Sequence, residues 1–484
     1  MSNAEPKENR LSVLMVATEV TPYAKSGGLG DVTGSLPAEL RKHGVDIRVV
    51  FPKYRTIRQN TIHNMTYANS FEVTLGWRRQ SASIFTIDSD VPTYMIENDY
   101  YFGRDGFYGY GDDYERFAFF TKAAIELLAI DSFRPDIIHF NDWQTGLGPV
   151  YLNDIYRKFI YYSGIKSLYT IHNLQYQGVF GREILGNVEL NDGYFTGGQL
   201  EFHGNISYMK AGILYADAVS TVSETYAKEI QSPGFGYGMD GILRNRSASL
   251  SGILNGIDYE ANNPETDPRL YLPFNQDSLN NKRKNKTQLQ NQLNLPVRED
   301  VPMFAIVSRL VDQKGLDLVA DIMEELMGRD VQLVVLGTGD GRYEHLFKHM
   351  AWRFPDKVSA NILFDEDLAQ KIYAASDMFL MPSLFEPCGL GQMIAMRYGA
   401  VPIARKTGGL ADTVFHFNPE SGEGNGFMFE HYLASGLMWA INEALGVYYS
   451  SQWDRVVRNA MAADYSWAQS AQKYIELYNA MKES

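Results

Sequence analysis

The stretch LSVLMVATEVTPYAKSGGLGDVTGSLPAELRKHGVDIRVVFP, residues 11–52, predicts the fold class through its alternation of two patterns. Residues 11–20 are a short apolar run with β-branched side chains, which predicts a buried strand. Residues 29–44 have the apolar spacing of a helix that ends at Gly44, and residues 45–52 return to an apolar run. A strand, a helix and a strand in this order indicate a parallel sheet covered by helices.

The same alternation recurs in two series along the chain. The first continues through apolar runs at 135–142, 165–173, 216–223 and 250–258. The second consists of runs at 302–310, 331–339, 377–382 and 399–405. We therefore predict an α/β protein with two doubly wound domains, whose ligands lie beyond the carboxyl ends of the strands, in a cleft where the two domains face each other.

Two segments interrupt this alternation. Residues 258–302 are rich in proline and polar side chains and predict a connector that carries one polar helix. Residues 53–130 include the tyrosine-rich stretch YYFGRDGFYGYGDDYERF (100–117) and show no regular alternation. We assign this second segment to neither series.

Composition excludes several classes of protein. The chain has 44 basic and 58 acidic residues, a net charge of −14, which disfavours nucleic acid as a partner. The short basic run KRKNK (282–286) predicts a solvated face. One cysteine, Cys388, excludes an intramolecular disulfide framework and a cysteine-based zinc site, and no other metal-ligand spacing is present. We expect no bound metal.

The N-terminus and the hydropathy pattern predict a cytoplasmic protein. MSNAEPKENR (1–10) is polar and lacks the apolar centre of a signal peptide, so we interpret it as a loose leader. No window approaches 18 uninterrupted apolar residues, so we expect no membrane span.

A glycine pair follows the first predicted strand, in AKSGGLGDV (24–32). Gly27 and Gly28 permit close approach of a ligand to the main chain at a helix start, and Lys25 adds a cation. The stretch lacks the spacing of a P-loop or of G-x-G-x-x-G, and a turn that merely requires glycine is the alternative. RKTGGLADTV (405–414) is nearly the same and predicts the corresponding turn of the second domain, lining the same cleft.

Two loops of the second series carry charged side chains before a helix. In VSRLVDQKGLDL (307–318), Lys314 precedes a helix that begins near Gly315, and Arg309 lies just before it. A lysine there is unfavourable by about 0.3–1 kcal/mol unless an anion lies between it and the helix, which predicts a phosphate or diphosphate site. Two solvated charges are the alternative.

The second of these loops is PSLFEPCGLGQMIAMRYG (382–399), whose helix ends at Gly399. Glu386 precedes the helix and can accept hydrogen bonds from sugar hydroxyls while the helix N–H groups bind phosphate. A simple helix cap is the alternative. We interpret Cys388 as a packing residue rather than a nucleophile, because no base accompanies it.

Polar residues also follow two strands of the first series, in HFNDWQTG (139–146) and TIHNLQYQG (170–178). Asp142, His172 and Asn173 lie where a substrate would bind. A structural histidine that satisfies hydrogen bonds is the alternative for His172.

Together these motifs resemble glycosyltransferase family 5, the bacterial glycogen synthases and plant starch synthases. The resemblance runs through the whole chain in order. Its further motifs are EFHGNISYMKAG (201–212), YGMDGIL (237–243), LNGID (254–258) and DYSW (464–467).

The resemblance implies a GT-B fold of two Rossmann-like domains. The first domain would comprise 1–253 and the C-terminal helix 465–484, and the second 254–464. The implied reaction transfers glucose from ADP-glucose to the non-reducing end of an α-1,4-glucan with retention of configuration. The donor substrate is ADP-glucose, and no cofactor is implied.

The resemblance also implies roles for individual residues. Arg309 and Lys314 would bind the donor diphosphate, with Lys25 reaching the donor from the other domain. Glu386 would hold the glucosyl hydroxyls, with His172 against the glucose and Asp142 in the reaction region. The further positions that the resemblance places in substrate binding are Gly27, Gly28, Asn173, Asn255, Phe364, Cys388, Gly389, Leu390 and Gly391.

The chain departs from the family pattern at several positions. Phe364 replaces a common tyrosine, which keeps an aromatic face for the nucleotide base but loses the hydroxyl. Leu384 and Gly391 replace a common arginine and threonine. Ile394 stands where many other retaining GT-B enzymes carry a second glutamate, which favours family 5.

Two rival functions remain open. One is a related retaining glycosyltransferase that uses UDP-glucose or another acceptor. The other is a non-catalytic glucan-binding protein, which loss of Lys25, Arg309, Lys314 or Glu386 would favour, and all four are present. The sequence indicates no oligomeric state.

Overall fold

The chain folds into two compact units in a computed structural model that describes residues 10–57 and 64–484. The first unit comprises Met1–Gly256 and Trp467–Ser484, and the second comprises Ile257–Ser466. Residues 254–256, predicted in the second domain, are in the first unit, and residues 465 and 466 are in the second. All but the last residue of the predicted leader lies outside the described residues.

The described part of the first unit contains a nine-stranded sheet in the order β12-β11-β7-β6-β1-β2-β5-β4-β3. Neighbouring strands from β12 to β5 are parallel, and β3 and β4 form an antiparallel hairpin beside β5. A small antiparallel sheet has the order β8-β10-β9. The strands are β1 Ser12–Val16, β2 Asp46–Pro52, β3 Met65–Leu75, β4 Arg78–Ile87, β5 Thr93–Glu97, β6 Ile137–Asn141, β7 Lys166–Ile171, β8 Val179–Phe180, β9 Glu201–Phe202, β10 Asn205–Ser207, β11 Ala218–Thr221 and β12 Leu250–Gly252.

Helices connect the parallel strands of this unit. They are α1 Gly28–Lys42, α2 Asp99–Phe102, α3 Asp113–Ile130, α4 Gly148–Asp154, α5 Gly193–Thr196, α6 Tyr208–Tyr215, α7 Glu224–Glu229 and α8 Asp240–Asn245, with short 3-10 turns at Trp143–Thr145, Tyr156–Lys158, Arg182–Val188 and Ser247–Ser249. The final helix of the chain, Trp467–Glu483, also belongs to this unit, where it packs against α1. Its Tyr478 hydroxyl lies 2.8 Å from Nδ1 of buried His139 on β6.

The segment left unassigned by sequence supplies the edge of this sheet. The hairpin β3–β4 and strand β5 extend the parallel part, and α3 is largely buried. Most residues of β3 are exposed, as expected for an edge strand, so the segment lacks the continuous apolar runs of the central strands.

The second unit contains a six-stranded parallel sheet in the order β15-β14-β13-β16-β17-β18. Its strands are β13 Met303–Val307, β14 Gln332–Leu336, β15 Val358–Asn361, β16 Met378–Met381, β17 Val401–Arg405 and β18 Phe427–Phe429. Its helices are α9 Leu279–Gln292, α10 Leu316–Met327, α11 Gly341–Arg353, α12 Glu366–Ala375, α13 Gly391–Arg397, α14 Gly408–Thr413, α15 Ala434–Tyr448 and α16 Trp453–Ala462, with a 3-10 turn at Asp312–Lys314. The final helix, Trp467–Glu483, is numbered α17. The two predicted strand–helix series are confirmed.

The polar helix α9 corrects two expectations. It is present as predicted, but Leu279 and Leu289 are buried in the core of the second unit, so it is part of that unit rather than a loose connector. The prediction of a solvated basic face is also wrong, because Lys282 and Lys286 are buried.

Backbone and side-chain acceptors explain that burial. The Lys282 ammonium donates to the carbonyls of Ala374, Ser376 and Tyr398, at 2.8–3.0 Å, where two helices end. Lys286 pairs with Asp377 at 2.7 Å. Such partners depend on chain folding and leave no pattern in the basic run itself.

No helix in the described ranges 10–57 and 64–484 is both long and apolar enough to cross a membrane.

Candidate active site

Asp142 links two strand ends in the first unit. It follows β6 with a left-handed backbone, φ 56°, and its Oδ1 accepts hydrogen bonds from the backbone N–H of His172 (2.8 Å) and Asn173 (3.4 Å) after β7. The structure thus brings together the three residues predicted from these loops. The Asn173 carboxamide in turn accepts a hydrogen bond from the Gln175 N–H, 3.0 Å away.

The ionisation of this group follows from its burial. Burial raises the pKa of Asp142 to about 7, although the two backbone N–H groups oppose the rise. Burial lowers the pKa of His172 to about 3, so its imidazole is neutral near pH 7. Its Nε2 lies 2.9 Å from Oδ1 of Asn141, whose Nδ2 donates to main-chain carbonyls, so Nε2 carries the proton. Nδ1 is then a hydrogen-bond acceptor.

The loop that carries the first glycine pair lies at the end of β1 in the same unit. Gly27 is the N-cap of α1, and no atom beyond its two chain neighbours lies within 4 Å of where a Cβ would stand, so the main chain is open at this point. The Lys25 ammonium is 2.7 Å from Asp31 in the first turn of α1. Gly28 is the first residue of that helix.

Sequence reasoning missed a buried carboxylate in this loop. Glu19 is 4% exposed and accepts hydrogen bonds from the N–H groups of Ser26 and Gly27. A charged residue at the end of an apolar strand was the available signal. Its partner could be identified only in the folded chain, where Ser26 lies beside Glu19.

In the second unit, Lys314 and Glu386 form a largely buried ion pair. The Lys314 ammonium is 2.7 Å from Oε2 of Glu386, which also accepts a hydrogen bond from the Ser383 hydroxyl at 3.0 Å. The two loops touch directly, since a Cβ at Gly315 would lie 2.0 Å from the carbonyl oxygen of Pro382. Gly315 has φ 68°, which glycine adopts readily, and α10 begins at the next residue as predicted.

Arg309 and Lys314 differ in their surroundings. Arg309 is exposed, and its Nη2 is 3.3 Å from Oε1 of Gln313, whose amide nitrogen donates to the Phe385 carbonyl at 3.4 Å. Gln313 thereby ties the Arg309 side chain to the loop that carries Glu386. The alternative of two solvated charges is wrong for Lys314.

The loop after Glu386 has a conformation that depends on glycine. Gly389 has φ 73°, and a Cβ there would lie 2.4 Å from the Gln392 side chain and 3.0 Å from Cγ of Glu386. The N-cap of α13 is Leu390, without a side-chain cap, so the alternative that Glu386 caps this helix is wrong. Cys388 is buried.

Gly391 is not required by packing. A Cβ at this first residue of α13 would lie 3.4 Å from the Phe379 ring, an ordinary contact. A residue with a Cβ would therefore fit at this position.

The second glycine pair, Gly408 and Gly409, packs against the main chain of the Glu386 loop. The Gly409 N–H donates to the Glu386 carbonyl at 3.1 Å, and a Cβ at Gly408 would lie 1.9 Å from that oxygen. Arg405 donates through Nε to the Ser383 carbonyl at 2.8 Å. The repeated motif thus has a packing function at this second position.

Two further predicted residues differ in exposure. Phe364 is 79% exposed, before α12, so its ring face is open to a stacking partner. Asn255 is buried, and its Oδ1 accepts no hydrogen bond within the part of the chain that the structure describes. Residues 10–57 and 64–484 contain no cluster of three or more histidine, cysteine, aspartate or glutamate side chains that could hold a metal ion.

The two units match known glycosyltransferase families. Residues 12–245 match the family described as the starch synthase catalytic domain, and residues 288–452 match glycosyl transferases group 1. The catalytic domain of starch synthase IV from Arabidopsis thaliana, solved with ADP and acarbose, has a TM-score of 0.91 at 34% identity, covering 98% of this chain and 100% of that chain. Sucrose-phosphate synthase from Thermosynechococcus elongatus, at 18% identity and a TM-score of 0.61, shares the fold.

Relatives of similar length have high sequence identity. The glycogen synthase of Clostridium acetobutylicum is 52% identical over 97% of this chain and 99% of its own length. That of Clostridioides difficile is 49% identical over the same shares. The chain is therefore a glycosyltransferase of GT-B fold and belongs to the family of the glycogen and starch synthases.

Proposed function

We propose that this protein elongates α-1,4-glucans by transferring glucose from ADP-glucose to the non-reducing end, with retention of configuration. The observation that carries the proposal is the buried group of Lys314, Glu386 and Ser383 beside Arg309. It combines a fixed carboxylate for sugar hydroxyls with cations for a diphosphate. Full-length similarity to glycogen synthases supports the same reaction.

The leaving diphosphate explains why two cations lie at this position. Cleavage of the glycosidic bond to phosphate leaves negative charge on the diphosphate, and fixed cations stabilise that charge in the transition state. Lys314 has three N–H donors and uses one of them on Glu386, which leaves others for phosphate oxygens. Arg309 offers a planar guanidinium for the same oxygens. We propose that this charge stabilisation requires no metal or other cofactor.

Glu386 is proposed to position the glucosyl group. Its carboxylate is held by Lys314 and Ser383, so its oxygens are fixed before the sugar binds. In the first unit, neutral His172 presents Nδ1 as an acceptor, suited to a sugar hydroxyl. Retention is proposed to follow because the glucan hydroxyl attacks the anomeric carbon from the same face as the leaving phosphate. The leaving phosphate accepts the proton of that hydroxyl.

The test measures nucleoside diphosphate release from purified protein with glycogen and either ADP-glucose or UDP-glucose. We expect release from ADP-glucose at least tenfold faster than from UDP-glucose. Faster release from UDP-glucose would favour the related transferase. Glycogen binding without release from either sugar nucleotide would favour the non-catalytic glucan-binding protein and refute the proposal.

The proposed partners are ADP-glucose and an α-1,4-glucan, without nucleic acid. A cytoplasmic location is part of the proposal, supported by the single cysteine, since secreted proteins often carry disulfides. Fractionation of cells that produce the protein checks the location.

A further inference from the structure

Four neutral donors surround the buried carboxylate of Glu19. They are the N–H and hydroxyl of Ser26 (2.5 and 2.6 Å), the N–H of Gly27 (3.1 Å) and the hydroxyl of Tyr108 (2.7 Å). A buried carboxylate is costly unless hydrogen bonds satisfy it. These donors satisfy it, and three of them belong to the loop that also carries Lys25.

The main chain of the loop held in this way is open at Gly27 rather than packed in the core. Beyond the two chain neighbours of Gly27, no atom lies within 4 Å of where its Cβ would stand, and the side chain of Lys25 is about one-third exposed. Paired hydrogen bonds between Val20 and Ala24 hold the base of the same turn. Glu19 therefore holds the main chain at Ser26 and Gly27, which are exposed, whereas Ala24 at the start of the loop is buried.

Tyr108 comes from the tyrosine-rich segment that sequence left without a function. Its hydroxyl donates to Glu19 and lies 2.9 Å from the Thr18 hydroxyl. Arg116 stabilises this segment: it is fully buried and donates to the carbonyls of Tyr101 (2.7 Å) and Phe107 (3.2 Å). Tyr108 thus reaches Glu19 from an ordered support.

We propose that Glu19 is a positioning residue, supported by Tyr108, that fixes the 24–28 loop so that Lys25 and the start of α1 face the sugar nucleotide. This inference rests on the proposed function, because it takes up the expectation that Lys25 contacts the ADP-glucose donor. Glu19 itself is directed at the loop and acts through it.

The chain contains a matched control pair in the same unit. Tyr156 donates to the carboxylate of Glu126 at 2.5 Å, and Glu126 lies on α3, outside the loops of the site. Substitution of this pair removes the same kind of hydrogen bond without touching the 24–28 loop. General loss of stability is thereby separated from loss of positioning.

Steady-state kinetics of Glu19→Gln and Tyr108→Phe, with Glu126→Gln and Tyr156→Phe as controls, test the inference. In Glu19→Gln one oxygen remains to accept the hydrogen bonds that two carboxylate oxygens accept from Ser26, Gly27 and Tyr108, and the negative charge is lost, so kcat/KM for ADP-glucose should fall at least 20-fold. We expect a three- to fivefold loss in Tyr108→Phe, values within twofold of the wild type in both controls, and KM for glycogen within twofold throughout. Combined with Lys25→Ala, Glu19→Gln should add less than twofold to the loss.

Hydrogen exchange of a peptide spanning residues 24–30, without substrate, gives an independent readout. Glu19→Gln should speed its exchange at least tenfold and Glu126→Gln should leave it unchanged. If the wild type turned over neither sugar nucleotide, the proposed function would fail, and this exchange would still decide whether Glu19 positions the loop. Unchanged exchange, kcat/KM within twofold of the wild type in Glu19→Gln, or full additivity with Lys25→Ala would overturn the inference.

Discussion

The Lys314–Glu386 pair couples stability to chemistry at the level of single residues. Replacement of Lys314 by Met leaves a buried carboxylate without its cation, which costs about 3–5 kcal/mol for fully buried pairs. Because Lys314 is partly exposed, we expect a loss of about 2–3 kcal/mol in the free energy of unfolding, measured by urea denaturation. The double variant Lys314→Met/Glu386→Gln should recover most of that stability, while both variants lose at least 100-fold in turnover.

A surface pair provides the comparison for this prediction. Lys406 and Glu430 are 3.0 Å apart and both exposed, so Lys406→Met should leave the free energy of unfolding nearly unchanged. Equal losses in the buried and exposed pairs, or near-normal turnover in Lys314→Met, would contradict the interpretation of the Lys314–Glu386 pair.

Asp142 should make stability depend on pH. Its pKa is about 7 in the folded chain because of burial, against about 3.9 when unfolded. The folded state therefore holds a proton that the unfolded state releases, and this contribution is full below about pH 4 and lost as pH rises through 7. Asp142→Asn does not titrate, so its melting temperature should gain on the wild type by several degrees between pH 5 and pH 8. The exposed Asp277→Asn should show no such trend. If the Asp142 carboxyl of the wild type were ionised throughout this pH range, Asp142→Asn would show no trend either, and the interpretation would be wrong.

At the level of elements, the loop before α14 holds the loop before α13. Gly408→Ala would place a Cβ 1.9 Å from the Glu386 carbonyl oxygen, and φ at Gly408 is 45°. We expect kcat to fall at least tenfold because Glu386 is displaced, although residue 408 itself contacts no sugar in the proposed reaction. Gly446→Ala, in α15 with open space around it, should keep kcat within twofold and gain up to about 1 kcal/mol in stability. Normal turnover of Gly408→Ala would show that this loop gives no support.

At the level of the whole molecule, the last helix stabilises the first unit, although it follows the second unit in sequence. Tyr478 on α17 is buried, and its hydroxyl is hydrogen-bonded to His139. Loss of a buried aromatic side chain costs about 3–5 kcal/mol, so Tyr478→Ala should speed hydrogen exchange in α1 and β6 while peptides of β13 and β14 keep their protection. Lys473→Ala, which breaks an exposed pair with Glu224, should change neither set. Equal loss of protection in both units would refute this assignment.

Much of the candidate site was predictable from strand ends. Asp142, His172, Arg309, Lys314 and Glu386 each follow an apolar run, and parallel strands bring such positions to one edge of their sheet. Family motifs then supplied their chemistry. The hairpin β3–β4 escaped prediction because its strands lie at the edge and lack a continuous apolar run.

The amino-acid sequence alone determined the two α/β series, the family and the residues at the strand ends, because burial in a parallel sheet imposes a periodicity that is visible locally. Only the tertiary structure decided which polar groups satisfy one another. Glu19 with Tyr108, and Lys282 with three carbonyls, join residues about 90 or more positions apart. Hydrogen bonds are short and directional, so partners distant in sequence are identified only once the chain is folded.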